Sequence, residues 1–268
     1  MVDELSLRLV PDALWEIAEP LIPRFSSRPQ GGGSAPIDDR AVFTAIVFVL
    51  TSGCAWRHLP PSFGVTVPTA HRRFTAWVRA GVFENLHREV LDRLGGSGEL
   101  DWSAAILDAA SVRAKRGISD RSQPGRPRQE GVEDPRPVRS RGIPLVVGVS
   151  AANTHDSTML RPMLDAIPAV KSRRGPRRRK PGRLRADKGY DSAAHRCWLR
   201  ERRIVPRIAR RGIDRNDRLG RHRWKIERTL AWLTGYRRLT IRYERHAEHF
   251  AGFLQLAAAI TCFKKLST

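Results

Sequence analysis

The sequence is poor in cysteine, in acid and in long apolar runs. Its three cysteines, Cys54, Cys197 and Cys262, are odd in number, far apart and form no C-x-x-C pair. That pattern argues against a disulfide framework and against a cysteine zinc site, and it fits a reducing compartment. The most apolar stretches, residues 41–50 and 251–263, fall short of the roughly 20 residues that a membrane-spanning helix needs. Asp3 and Glu4 precede any apolar run, so the N-terminus does not read as a signal peptide. We therefore expect a soluble, cytoplasmic protein.

Acid is outnumbered. There are 27 Asp and Glu against 49 Lys and Arg, a net charge of +22 over 268 residues. Such a charge costs self-repulsion in the folded state, and its usual use is to neutralise a polyanion. Nucleic acid is the leading candidate. A ribosome-associated protein, or a basic composition imposed by codon bias, are the alternatives. Hydrophobic residues make up 41%, enough for a packed core, and the length suits one medium catalytic domain plus a small accessory domain.

The first hundred residues read as helical. Residues 12–21, 40–52, 70–80 and 83–94 carry apolar positions at helical spacing. Asp38 and Asp39 precede the second of these and Gly53 follows it, as a cap and a stop. The 70–80 segment carries Arg72, Arg73 and Arg79. Two short helices around a turn, the second basic, resemble a helix-turn-helix, and a plain bundle with a solvated basic face is the other reading. From Leu100 the pattern changes to strands at 104–112, 143–150, 183–187 and 204–209, mixed with helices at 158–167, 192–202, 221–233 and 244–265. The fold class expected is α/β with a helical N-terminal region. Residues 171–185 hold nine Lys and Arg in fifteen positions and no acid. This run reads as a phosphate-contacting segment or as a flexible solvated loop.

Three acids stand out by context. Asp108 interrupts an apolar strand, where an unpaired carboxylate is expensive. Asp187 ends another strand, just before Lys188-Gly189. Glu227 lies on a Trp-rich helix among Arg223, Lys225 and Arg228. Carboxylates from two strands and a facing helix can converge, and converging carboxylates repel unless divalent cations neutralise them. Two such cations about 4 Å apart can activate water or a 3′-hydroxyl and stabilise the leaving oxygen. The bland alternative is three unrelated acids in salt bridges.

The residues around these acids carry a resemblance. Ile106-Leu107-Asp108-Ala109, Asn153-Thr154-His155-Asp156-Ser157, Arg185-Ala186-Asp187-Lys188-Gly189-Tyr190-Asp191 and the stretch from Leu219 through Glu227 to Arg228 occur in that order. Ala231-Trp232-Leu233, Tyr236-Arg237-Arg238-Leu239 and Arg242-Tyr243-Glu244 follow, and Ile37-Asp38-Asp39-Arg40 and the stretch 53–60 (GCAWRHLP) precede them. The chain resembles DDE transposases of the insertion-sequence-five type, within the insertion-element-four superfamily, over nearly its whole length.

The resemblance implies a ribonuclease-H-like core, a mixed sheet flanked by helices, at 99–268, behind a helical DNA-binding domain at 1–98. It implies Asp108, Asp187 and Glu227 as catalytic, metal-holding residues with Mg²⁺ or Mn²⁺. It implies DNA as partner, both the terminal inverted repeats and the target, with homo-oligomers on DNA and a location on the nucleoid. The DNA contacts expected are Arg72, Arg73, Arg79, Arg177, Arg178, Arg179, Lys180, Lys188, Arg223 and Arg228. A Tyr and a Lys that related families place around the Arg and Glu fall here on Gly220 and Thr234, so those roles are absent or moved to Arg237 or Arg238. The short interval from Asp187 to Glu227 leaves no room for a large inserted β-domain. His155 and Asp156 read as helix-capping surface residues, Asp191 as the cap of the next helix, and Trp224 and Trp232 as core.

One stretch departs from the family. Residues 118–140 contain four prolines and only three large aliphatics, where a second strand beside the Asp108 strand is expected. Such a stretch reads as a loop or disorder across 117–141, not as a central strand. A segment translated out of frame between two compensating frameshifts would produce it. It would leave a DNA-binding relic or regulator without catalysis. A lineage-specific loop is the milder alternative.

Overall fold

The computed structural model describes residues 4–24, 37–114, 131–139, 143–151, 156–210 and 232–266; for 108–114, 131–139, 151 and 156 it describes the backbone. Five helices come first: α1 (Glu4–Leu9), α2 (Asp12–Ala18), α3 (Asp39–Ser52), α4 (Val67–Arg79) and α5 (Val82–Gly96). The start of α3 follows from Asp38, whose carboxylate accepts the N–H groups of Arg40 at 3.3 Å and Ala41 at 3.0 Å. It stops at Gly53, which has φ 71°. A side chain at Gly53 would also collide with Arg237. Between those ends α3 buries Val42, Phe43, Ile46, Val47, Val49 and Leu50, so it forms the centre of the helical region. The basic helix α4 is reached from α3 through residues 53–66, and the short turn at Ala80-Gly81 follows it, leading into α5.

The last helix, α8 (Ala247–Phe263), packs against α5 and α4. Phe74 of α4 stacks on Phe253 of α8 with ring centroids 4.3 Å apart. Gly252 allows the close crossing, since a Cβ there would meet Val78. Each aromatic buried at this seam contributes about 1.5–3 kcal/mol. One continuous core thus runs from Leu14 and Phe43 through Phe74 to Phe253 and Ile260. It crosses the expected boundary at residue 98.

The sheet contains β1 (Ala105–Ala114), β2 (Gly131–Arg139), β3 (Ser150–Ala151), β4 (Arg183–Ala186), β5 (Val205–Ile208) and β6 (Ile241–Arg242). The order is β3-β2-β1-β4-β5, with β6 pairing the far end of β1. The β1–β2 and β2–β3 pairs are antiparallel; β1–β4 and β4–β5 are parallel. Helices α6 (Leu160–Asp165) and α7 (Ala193–Glu201) lie between β3 and β4 and between β4 and β5. The fold is mixed α/β, as expected. Among the described residues no helix is long and apolar enough to cross a membrane.

Two expectations need correction. Residues 131–139 are a strand, not a loop, and they pair with β1 along its length. The prolines are tolerated because Pro135 and Pro137 have the same parity. They oppose Ala109 and Leu107, so both missing N–H groups fall on one side of β2. That side can be the one away from β1, and β3 pairs only with Val132 and Glu133. The rest of 117–141 lies outside the described residues, apart from the strand itself. Conversely, residues 143–149 do not form the strand that IPLVVGV promised. Ile143, Leu145 and Val147 are buried at alternate positions, but Pro144 lacks a donor and Gly148 lies against the Met163 sulfur. The segment is held by side-chain packing, and only Ser150–Ala151 joins the sheet.

His87 of α5 ties this segment to the core. Its Nε2 lies 2.9 Å from the Pro144 carbonyl oxygen and 3.6 Å from the Cys262 sulfur of α8. A carbonyl only accepts, so Nε2 carries the proton in the neutral ring. Burial pushes the His87 pKa down to about 4, and the hydrogen bond to Pro144 only partly opposes this. The unfolded chain takes up this proton near pH 6.5 and the folded chain only near pH 4. Stability is therefore full above pH 6.5 and falls as the pH drops to about 4, by about 3 kcal/mol in all. Urea unfolding across that range should be flatter for His87→Gln than for the parent. Parallel profiles would mean that other groups set the acid sensitivity.

Candidate active site and nucleic-acid interface

Strand pairing brings the backbones of two of the three acids next to each other. Strands β1 and β4 run parallel, with Ala105 opposite Leu184, Ile106 opposite Arg185 and Leu107 opposite Ala186. Ala105, Leu107, Leu184 and Ala186 are buried and anchor the pair. Asp108 and Asp187 are each one residue beyond the last of these partners, so their backbones emerge side by side. Glu227, with Arg223, Arg228, His222 and Trp224, lies outside the described residues.

Asp187 is exposed at the end of β4. One carboxylate oxygen accepts the N–H of Lys188, at the start of a 3₁₀ turn over Lys188–Tyr190. Tyr190 is buried beneath it. The turn thus fixes the Asp187 backbone while leaving its charge at the surface. Asp191 does not cap the next helix. Ser192 does, accepting the His195 N–H at 3.1 Å, while Asp191 pairs with Arg196 at 2.7 Å. The shorter side chain of Ser192 sits one residue closer to the helix and reaches the N–H first. His155 lies outside the described residues, and Asp156 begins a 3₁₀ turn that leads into α6.

The basic run is ordered. Val170 and Arg178 exchange backbone hydrogen bonds of 2.8 Å, with Gly175 at φ 88° in the bend between them. Asp92 of α5, buried, accepts the Lys171 N–H at 2.8 Å and holds Arg177 at 2.9 Å. Arg177 also donates to the Ala169 carbonyl. This bend is therefore tied to the core and is not a free loop. Arg178, Arg179 and Lys180 are exposed on it, with Arg179 reaching back to the Asp165 carbonyl at 2.9 Å.

The expected DNA contacts divide accordingly. Arg72, Arg79, Arg178, Arg179, Lys180 and Lys188 are exposed. Arg73 is half-buried, ion-paired with Asp39 and set over the Trp77 ring at 5.5 Å. Arg177 is exposed too, but like Arg73 it is engaged by partners within the chain, Asp92 and the Ala169 carbonyl. Arg238, one of the two candidates to take over the missing Tyr and Lys roles, is buried against Glu244 at 2.6 Å and donates to the Cys54 carbonyl at 2.7 Å. Neither Asp92 nor the Arg238–Glu244 pair is marked out by the sequence. Asp92 is indistinguishable there from a solvated helix acid. The pair lies within motifs that match the family without an evident role.

Comparison with known proteins now adds to this geometry. The family described as Transposase DDE domain matches residues 106–262, from two residues before Asp108 to the end of α8. The chain belongs to that family. The IS4/5 transposase family (DUF4096) matches residues 10–87, the helical region. The protein assigned as transposase of insertion sequence element IS402 of Burkholderia cepacia is 41% identical over 148 residues, 55% of this chain and 67% of that one. An uncharacterised 16.2 kDa protein of the same element is 38% identical over 108 residues, 40% of this chain and 74% of its own length. The Mos1 strand transfer complex covers 91% of this chain and 82% of its own at 10% identity and TM-score 0.25, a likeness too loose to carry an argument. The protein is thus an insertion-sequence transposase, of the polynucleotidyl transferase class, and a DNA-binding protein.

Proposed function

We propose that this transposase binds the terminal inverted repeats of its element, cuts them by metal-assisted hydrolysis and joins the freed 3′-hydroxyl to target DNA. Asp108, Asp187 and Glu227 are the catalytic carboxylates and hold Mg²⁺, with Mn²⁺ able to substitute. The observation that supports this reading is the parallel β1–β4 register, which sets the backbones of Asp108 and Asp187 side by side, each one residue past the last paired position. The donor chemistry fits a hard divalent cation. Asp187 offers oxygen only, stands exposed, and pairs with none of the basic groups around it among the described residues. When bound, such a cation supplies Lewis-acid polarisation of the phosphodiester and lowers the pKa of water.

The protein's own residues do the rest. The Lys188 N–H holds the Asp187 carboxylate in one rotamer. Arg178, Arg179, Lys180 and Lys188 bind phosphates near it. Arg72 and Arg79 on α4 contact the repeat ends, with residues 1–98 as the helix-turn-helix-like DNA-binding domain and 99–268 as the catalytic one. The mixed sheet with flanking helices supports a ribonuclease-H-like core. The functional species on DNA is a homo-oligomer.

The test is cleavage of labelled DNA carrying the element ends. Nicking at the repeat boundary is expected with Mg²⁺ or Mn²⁺ and none with a chelator. Binding without cutting in any metal would leave a DNA-binding relic of a transposase.

A further inference from the structure

The sheet face that carries Asp187 also carries a row of arginines. Along β4, Arg183 and Arg185 alternate with the buried Leu184 and Ala186, and Asp187 continues the outward row. Beside β4 runs β5, which sets Arg207 directly opposite Arg185, and Val205 opposite Arg183. Three guanidinium groups therefore project from one face of two adjacent strands. Arg183 and Arg207 are exposed, and Val205 between them is 45% exposed, so this face is open.

Like charges directly opposite one another across a sheet destabilise it. Among the described residues no carboxylate pairs with Arg183, Arg185 or Arg207, whereas Arg196, Arg202 and Arg238 nearby in the chain all have one. Opposed arginines with no paired carboxylate among the described residues are the mark of a surface whose counter-charge arrives from outside.

We propose that Arg183, Arg185 and Arg207 form a track for the sugar–phosphate backbone of the DNA strand that reaches the catalytic acids. Charge complementarity selects the occupant. Arginine forks suit phosphate oxygens, and the row holds no base-reading amide. Same-face residues along a strand are about 6.6 Å apart, and neighbouring strands about 4.8 Å. The row Arg183, Arg185, Asp187 therefore leads stepwise from bound phosphates to the acid. The track adds phosphate-binding groups beyond the basic bend at 170–178, and it orients the strand along β4. Its role in catalysis rests on the reading of Asp187 as a catalytic acid; its role in binding does not.

The experiment compares the full chain with Arg183→Gln/Arg207→Gln, both positions being exposed, and with Arg185→Gln. Affinity for a labelled duplex of arbitrary sequence is measured across a salt series, alongside thermal melting. The double variant should make the dependence of log K on log salt shallower by about 1.8, or about 0.9 for each phosphate no longer neutralised. Its Tm should hold or rise, because like-charge repulsion is relieved. Arg→Lys at the same positions should retain most of the slope. An unchanged slope overturns the track. A slope and a Tm that fall together also overturn it, because the arginines are then structural. Asp187→Asn is carried in parallel and should keep the parent slope. If no protein cuts DNA but the slope shifts, the track stands and the catalytic reading fails. If Asp187→Asn alone loses cutting and the arginine variants keep the slope, the catalytic reading stands and the track fails.

Discussion

Replacing Asp187 by Asn should lower metal-dependent cleavage by about three orders of magnitude while leaving DNA affinity within about twofold. The substitution is isosteric, and the amide oxygen can still accept the Lys188 N–H that fixes this position. The residue is exposed, so the fold loses little. What disappears is one negative charge and one hard oxygen ligand. Lewis-acid assistance to phosphodiester cleavage amounts to several kcal/mol, and about 4 kcal/mol corresponds to a factor of about 10³ in rate. Binding depends instead on the basic groups that hold phosphates, none of which is touched. Single-turnover cleavage and gel-shift titration on the same DNA separate the two effects. Equal losses in both would make Asp187 a structural residue of the turn.

Much of this was legible from residue order. The bounds of α3 could be read from Asp38, an apolar run and Gly53, because caps are local chemistry. Asp108 could be singled out because an acid inside an apolar strand needs a reason, and Asp187 because it ends a strand just before Lys188-Gly189. Register could not be read. Nothing local says that Leu107 opposes Ala186, or that Arg185 opposes Arg207, since both pairings are parallel and their partners are far away in the chain. The arginine row is hidden for the same reason: period two matters only once the neighbouring strand is in place. The two misread segments fail in opposite directions. Residues 143–149 look like a strand by hydropathy, but they satisfy burial through packing and not through a ladder. Residues 131–139 look unable to pair because of Pro135 and Pro137, but proline forbids only the donor side it removes, and equal parity puts both removals on one edge. The buried ties that join the two halves of the chain carry no local signal at all.

Among those ties Arg238, which reaches the Cys54 carbonyl and is held by Glu244, should be the strongest, and its disruption should cost more stability than any surface change. The two side chains are 4% and 3% exposed, and the guanidinium reaches Glu244 Oε1 through both Nε and Nη2. Its remaining arm donates to the Cys54 carbonyl, in the segment that follows α3. Its plane lies 4.9 Å from the Tyr243 ring. Removing one partner leaves a buried charge unpaired, which costs about 3–5 kcal/mol. Arg238→Leu and Glu244→Leu should therefore each lower the urea midpoint sharply. Among the described residues the second oxygen of Glu244 has no hydrogen-bond partner, so desolvation already offsets much of the pair's attraction. The double variant, apolar on both sides, should then recover most of the loss. Limited proteolysis of residues 53–66 should follow the same order, because Arg238 ties that segment to the C-terminal half through Cys54. Additive losses in the double variant would mean that the two residues act separately, and that packing of α8 against α4 and α5 joins the helical region to the rest of the chain.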